Sequence, residues 1–166
     1  MLFRSDVLSP DAIALFRKGE LRILPPVASA IAEILNTHHI SVVEKDVLIV
    51  GHGKLVGVPA AILMRHNGAH VTIIEKPTSA LPQLTKEADI IVLGVGVPGL
   101  LRPSMVKKGV VILDAGTSET GGVLVGDADP ECVTHASLFT PVPGGIGPVT
   151  VACLMQNIVM LSQHHD

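Results

Sequence analysis

The chain has 166 residues, with 12 Lys and Arg against 15 Asp and Glu and a formal charge of −3, a size that predicts one compact domain. Apolar residues make up 48% and charged residues 16%, so a substantial core is available and disorder is excluded. The near-neutral balance argues against a nucleic-acid binder, which would carry a basic face, and three Phe with no Tyr or Trp leave no aromatic stacking platform.

Residues 1–22 are expected as an N-terminal remnant or disordered start, and residues 23–166 as the folded domain. Leu2-Phe3-Arg4-Ser5 is the translation of a string found in a common sequencing adaptor. Two expectations therefore stand side by side: a reading frame that begins in read-through sequence, or an ordinary disordered N-terminus. No stretch reaches the roughly 20 apolar residues of a membrane span, and the start lacks the apolar segment of a signal peptide. The two cysteines, Cys132 and Cys153, make no disulfide framework and suit a reduced, cytoplasmic setting.

Val27, Ile31, Ile34 and Leu35 follow the i, i+4, i+7, i+8 spacing of one helical face and predict a helix over 26–37. Pro25 and Pro26 sit where a helix begins without needing an N–H donor. Val47 to Val50 is a continuous apolar run closed by glycine, the pattern of a strand buried on both faces. A helix over 55–66 follows, with Gly68 just past its end as a C-cap. Val71 to Ile74 is the next β-branched run, and a weaker helical stretch leads to Ala88. Ile90 to Leu93 and Val110 to Leu113 repeat the buried-strand pattern, with a short helix expected at 103–108 between them. Residues 117–127, rich in Gly, Ser and Thr, predict a hairpin or loop. Leu138 to Thr140 is a last strand, and 149–163 a final helix whose Met155, Ile158, Met160 and Leu161 read as core, or else as an exposed apolar patch. Solidly apolar strands alternating with helices predict an open α/β domain, a doubly wound parallel sheet with helices on both faces.

The sharpest local signal is Gly51-His52-Gly53-Lys54-Leu55-Val56-Gly57, placed directly between a strand and a helix. Bare Gly-x-Gly-x-x-x-Gly is weak, but this context is the one in which backbone amides cradle a dinucleotide. Gly51 can take the positive φ of a tight turn, and Gly53 lacks a Cβ that would hold backbone away from a pyrophosphate. The unpaired amides at the following helix start favour an anion, and Gly57 allows close helix–strand packing. Glu75 stands about twenty positions on, where a carboxylate would accept ribose hydroxyls and repel a 2′-phosphate. Lys76 and His52 pull the other way, leaving NAD and NADP both open. Adjacent pairs His38-His39 and His164-His165 do not share a helix face, and Cys132-x-x-His135 is half a metal motif, so no metal site is expected. Asp114, at a strand end, reads either as a functional group or as a local backbone cap.

The stretch Thr140-Pro141-Val142-Pro143-Gly144-Gly145-Ile146-Gly147-Pro148-Val149-Thr150 closely resembles the C-terminal signature of the FolD family, the bifunctional methylenetetrahydrofolate dehydrogenase/methenyltetrahydrofolate cyclohydrolases. In order, Val50 to Pro59 resembles the family's Val-Gly-Arg-Ser-x-x-Val-Gly-x-Pro, and Ala88-Asp89-Ile90, residues 94–99 and residues 124–129 also match. Leu24-Pro25-Pro26 is similar to its hinge, without the Cys and Thr. The likeness runs from about Ile23 to Val159. It implies a Rossmann-like domain that binds NADP or NAD, a tetrahydrofolate derivative as substrate of the intact protein, and a homodimer. It also implies that Gly51, His52 and Gly53 contact the pyrophosphate, that Lys76 lies near a 2′-phosphate, and that Thr117 lies on the nicotinamide side. Pro143, Gly144, Gly145, Gly147 and Pro148 would form the loop at the mouth of the cleft, touching folate and cofactor. Two departures matter. His52-Gly53 replaces Arg-Ser, and the family's Tyr-x-x-x-Lys motif, whose lysine serves both reactions, is missing from a sequence without Tyr. No catalytic residue is therefore assigned here, and this polypeptide alone is expected to bind dinucleotide weakly and turn over folate negligibly. The alternative is a stand-alone, non-catalytic dinucleotide-binding module.

Overall fold

The structure is a computed structural model, and residues 5–163 are described. The reading-frame expectation for residues 1–4 and the His164-His165 pair lie outside the described residues.

The first element is a helix, α1 (Pro10–Lys18), in the segment expected as a remnant or disordered start. Ser9 Oγ accepts the Ala12 N–H at 3.2 Å, and Gly19, at φ +74°, turns the chain off its end. Order here has a packing cause. Phe16 is buried in the main core, and its ring meets the His66 imidazole edge-on at 5.8 Å. Helix α2 (Pro26–Thr37) spans the residues its apolar spacing predicts.

The chain then alternates through β1 (Asp46–Val50), α3 (Gly57–His66), β2 (His70–Ile74), α4 (Leu81–Glu87), β3 (Ile90–Leu93) and β4 (Val110–Asp114). A hairpin of β5 (Ser118–Thr120) and β6 (Val123–Val125), then β7 (Ala136–Phe139) and α5 (Ile146–Ser162), complete it. Five strands pair in parallel in the order β2-β1-β3-β4-β7, so the winding reverses between β1 and β3. The period-two geometry of a strand divides the core. Along β1, Val47 and Ile49 join α2, α3 and α5 on one face, and Leu48 and Val50 join Leu81 and Leu101 on the other. Both faces are covered, which is why these strands read as unbroken apolar runs.

Several boundaries differ from expectation. Residues 54–56 form a turn, so α3 starts at Gly57 and not at 55. Its C-cap is Asn67. Gly68, one further on at φ +80°, donates to the Arg65 carbonyl while Ala69 donates to Met64, a Schellman ending. The helix expected at 103–108 is only a 3₁₀ turn over Pro103–Met105, because Val106 is extended at φ −121° and ψ 151°. α5 begins three residues earlier than predicted, and its core assignment is corrected. Met155, Ile158 and Met160 are 56%, 45% and 41% exposed, since α5 touches the domain only along the side carrying Ile146, Val149, Cys153 and Asn157. Asn157 Nδ2 there donates to the Leu24 carbonyl at 3.0 Å. No helix among the described residues is long and apolar enough to cross a membrane.

Candidate functional site

In an open parallel sheet the crevice forms beyond the carboxyl ends of the strands where winding reverses. Here that place is the β1–α3 turn facing the loop after β3. Gly51 donates its N–H to the Ile74 carbonyl at 2.7 Å and turns away at φ +101°. A side chain there is doubly barred, because a Cβ would come within 2.5 Å of the Gly94 carbonyl oxygen. At Gly57 a Cβ would overlap the Gly51 carbonyl, so this glycine permits the helix to pack against the strand end. Gly53 is different: a Cβ on it would meet nothing within 4 Å. Among the described residues, the backbone N–H groups of His52, Gly53, Lys54 and Leu55 meet no protein acceptor. They stand before the N-terminus of a ten-residue helix, where the aligned peptide dipoles add a positive field.

The opposite wall is built by a carboxylate. Asp127 is fully buried; its Oδ2 accepts the Val95 and Gly96 N–H groups at 2.7 and 3.1 Å, and its Oδ1 accepts that of Val97 at 2.7 Å. The loop after β3 is thus clamped through three consecutive amides, and Ser118 Oγ adds a bond to the Gly96 carbonyl at 3.0 Å. Asp114, the other buried carboxylate, accepts from Gly116 N–H at 2.9 Å and Ala128 N–H at 2.8 Å. Burial pushes its carboxyl above the ordinary carboxylate range, and these backbone donors pull it part of the way back. Of the two roles open to Asp114, its oxygens take the backbone one. Asp127 escaped sequence reasoning as a functional position. Its signal was its place in the 124–129 stretch, where an acidic residue follows Gly126 directly after the hairpin.

The third wall is the segment leading into α5. A cleft of about 590 Å³ is lined by Leu55, Val56, Thr117, Pro143, Gly144, Gly145, Gly147 and Pro148, with Asp114 on its floor. Gly145 donates to the Pro141 carbonyl at 2.7 Å, fixing the loop at the helix start. The structure therefore brings Thr117 together with the whole 143–148 loop, and Leu55 and Val56 join them to the glycine turn. At the other end of the turn, His52 Nδ1 lies 3.7 Å from Glu75 Oε1. Lys76 is exposed beside Glu75 and lines none of this cleft. Cys132 and His135 do not converge on a shared ligand. The Cys132 thiol is buried, pushed up to about 11 by that burial, and donates to the Leu101 carbonyl at 3.6 Å. His135 Nδ1 pairs instead with Thr134 Oγ1 at 2.9 Å.

The chain as a whole is similar to known proteins. Residues 25–166 match the family profile described as the tetrahydrofolate dehydrogenase/cyclohydrolase NAD(P)-binding domain. The chain is 39% identical over 159 residues to the bifunctional protein FolD of Lactobacillus delbrueckii subsp. bulgaricus, covering 95% of this chain and 56% of that one. With the FolD protein of Lactobacillus acidophilus the identity is 41% over 162 residues, covering 97% and 57%. Among solved structures, the FolD methylenetetrahydrofolate dehydrogenase/cyclohydrolase of Campylobacter jejuni superposes with a TM-score of 0.92 at 34% identity, over 98% of this chain and 58% of that one. The Trypanosoma brucei FolD, solved with NADP cofactor and an inhibitor, gives 0.87 at 33% identity over 96% and 58%. The chain thus spans between 56% and 58% of the length of these relatives. With the profile covering residues 25–166 and TM-scores of 0.92 and 0.87 over nearly the whole chain, the chain belongs to the tetrahydrofolate dehydrogenase/cyclohydrolase family, as its NAD(P)-binding domain.

Proposed function

We propose that the free amides of residues 52–55 hold the diphosphate of NAD or NADP, with the adenosine side toward His52 and Glu75 and the nicotinamide side toward Thr117. The loop carrying Pro143, Gly144, Gly145, Gly147 and Pro148 then closes the cleft where a tetrahydrofolate derivative meets the coenzyme. The coenzyme, when bound, supplies the hydride acceptor for oxidation of a methylene-bridged folate, and water opens the methenyl product. The residues of this chain bind and orient. The observation carrying the reading is the row of unpartnered N–H groups in front of α3, next to a glycine whose missing side chain leaves open space. The acid/base lysine of the family's Tyr-x-x-x-Lys motif is not supplied by these 166 residues, which contain no Tyr. Positioned groups account for effective molarities of ~10⁵ M or more, so turnover by this chain alone is negligible. A cytoplasmic location and a homodimer belong to the same reading, supported by the family resemblance.

Titration of the 166-residue chain with NADH and NADPH, followed by a dehydrogenase assay on methylenetetrahydrofolate, tests this. Saturable binding with turnover at background is expected, and turnover typical of a complete enzyme would contradict it. Gly53→Val fills only open space, so it lowers dinucleotide affinity tenfold or more, on the order of one lost charge-assisted hydrogen bond, with no change in melting temperature. Retained affinity in that variant would remove the glycine turn from the site.

A further inference from the structure

The β5–β6 hairpin forms a two-stranded sheet of its own, apart from the five parallel strands. Its seat beside the cleft therefore depends on its two roots, residues 115–117 leaving β4 and residues 126–128 returning. One side chain holds both. Asp114, buried at the end of β4, accepts the Gly116 N–H of the outgoing root on Oδ1 at 2.9 Å. Its Oδ2 accepts the Ala128 N–H of the returning root at 2.8 Å, fourteen positions further along the chain. Its own backbone N–H donates to Thr140 Oγ1 at 2.7 Å, which ties in the start of the segment that leads to α5.

The packing at these roots is crossed. A Cβ on Gly126 would overlap Asp114 Oδ2, and a Cβ on Gly116 would overlap the Asp127 carboxylate. Neither glycine has a positive φ, so the carboxylates, and not the backbone, exclude a side chain at each. A residue that only closed the end of β4 would have no need to reach the returning root. Between the roots lie Thr117 and Leu124, and both line the cleft of about 590 Å³. Among the described residues, no hydrogen bond joins Asp114 or either root to residues 51–57. Groups that meet a ligand need supporting hydrogen bonds to hold them within about 0.5 Å of a productive position, and Asp114 supplies them at this end of the cleft alone.

We propose that Asp114 is a positioning residue: by seating both roots of the hairpin it sets Thr117 and Leu124 against the nicotinamide end of a bound dinucleotide. The diphosphate end is left to the glycine turn. This rests on the reading that the dinucleotide crosses that turn with its nicotinamide toward Thr117. ADP-ribose keeps the adenosine and the diphosphate and lacks the nicotinamide, so it separates the two ends. Isothermal titration of the 166-residue chain with NADH and with ADP-ribose compares wild type with Asp114→Asn, and circular dichroism checks the fold of the variant. Wild type is expected to prefer NADH. In the variant that preference should shrink by about fivefold or more, the scale of one lost hydrogen bond, with ADP-ribose affinity held within about twofold. An unchanged preference, or equal losses for both ligands as a merely structural role would give, overturns the positioning role. A second measurement needs no substitution and decides the matter if Asp114→Asn does not fold. In the ¹⁵N–¹H spectrum of wild type, the Gly116, Thr117 and Ala128 amides should shift with NADH and stay still with ADP-ribose. Identical shifts with the two ligands, or equal affinity of wild type for both, overturn the role while leaving dinucleotide binding standing. Failure of both ligands to bind wild type overturns the reading of the glycine turn and the positioning role together.

Discussion

Asp127 carries more of the crevice than any other single side chain. Three backbone N–H groups converge on its two oxygens in a site closed to water. Asp127→Asn would replace one acceptor with an NH₂ group facing N–H donors, leaving at least one amide unsatisfied. The expected loss is about 1–3 kcal/mol of folding stability, and hydrogen exchange at Val95, Gly96 and Val97 should speed up well before global unfolding. Unchanged protection at those amides would contradict the clamp. Farther from the crevice, the Lys107 Nζ bond to Asp89 Oδ1 at 2.7 Å holds that carboxyl below its usual range, with the Asp46 backbone N–H assisting. A depressed folded pKa contributes stability above the unfolded carboxylate value, and that contribution is lost as pH falls through the folded one. Asp89→Asn should therefore cost up to about 1 kcal/mol at neutral pH, a modest figure because the pair is partly exposed. Urea midpoints of variant and wild type should draw together as pH falls below the unfolded carboxylate value of about 4, whereas a gap that stayed constant all through the acid range would assign Asp89 some other role.

Secondary-structure elements show where residue patterns suffice and where they fail. The strands were legible because a sheet covered on both faces demands apolar side chains at every position, as in Val47 to Val50 and Ile90 to Leu93. The glycine turn was legible because Gly51 and Gly57 are required by backbone contacts that only glycine satisfies. α5 was not. Val151, Met155, Ile158, Val159 and Met160 surround it with apolar side chains on every side, so periodicity cannot pick the buried stripe, and the buried side includes the polar Asn157. Nor was α1 legible, since its order depends on a long-range contact of Phe16 with His66. The stripe is testable by contrast. Met155→Ser should shift stability by no more than about 0.5 kcal/mol, while Ile146→Ala, in the core, should cost about 2–5 kcal/mol. Equal losses from the two would show that the exposed face of α5 is packed.

At the scale of the whole molecule, the candidate site is an assembly of strand ends. Its members come from the ends of several strands, among them the turn after β1, the segment after β4 and the loop after β7, and meet only because five parallel strands finish at one edge. Sequence reasoning found most of them through the family likeness of residues 140–150 and through the turn at 51–57. It did not foresee the approach of His52 to Glu75, which depends on the register of β1 with β2. The account as a whole stands on free amides capturing a diphosphate, and a ¹⁵N–¹H correlation spectrum recorded during titration with NAD examines those amides one by one. Saturable shifts are predicted at His52 through Leu55, with smaller ones at Glu75, Thr117 and Gly144 to Gly147. Shifts confined to the opposite edge of the sheet, or still amides at 52–55 while NAD binds elsewhere, would contradict it.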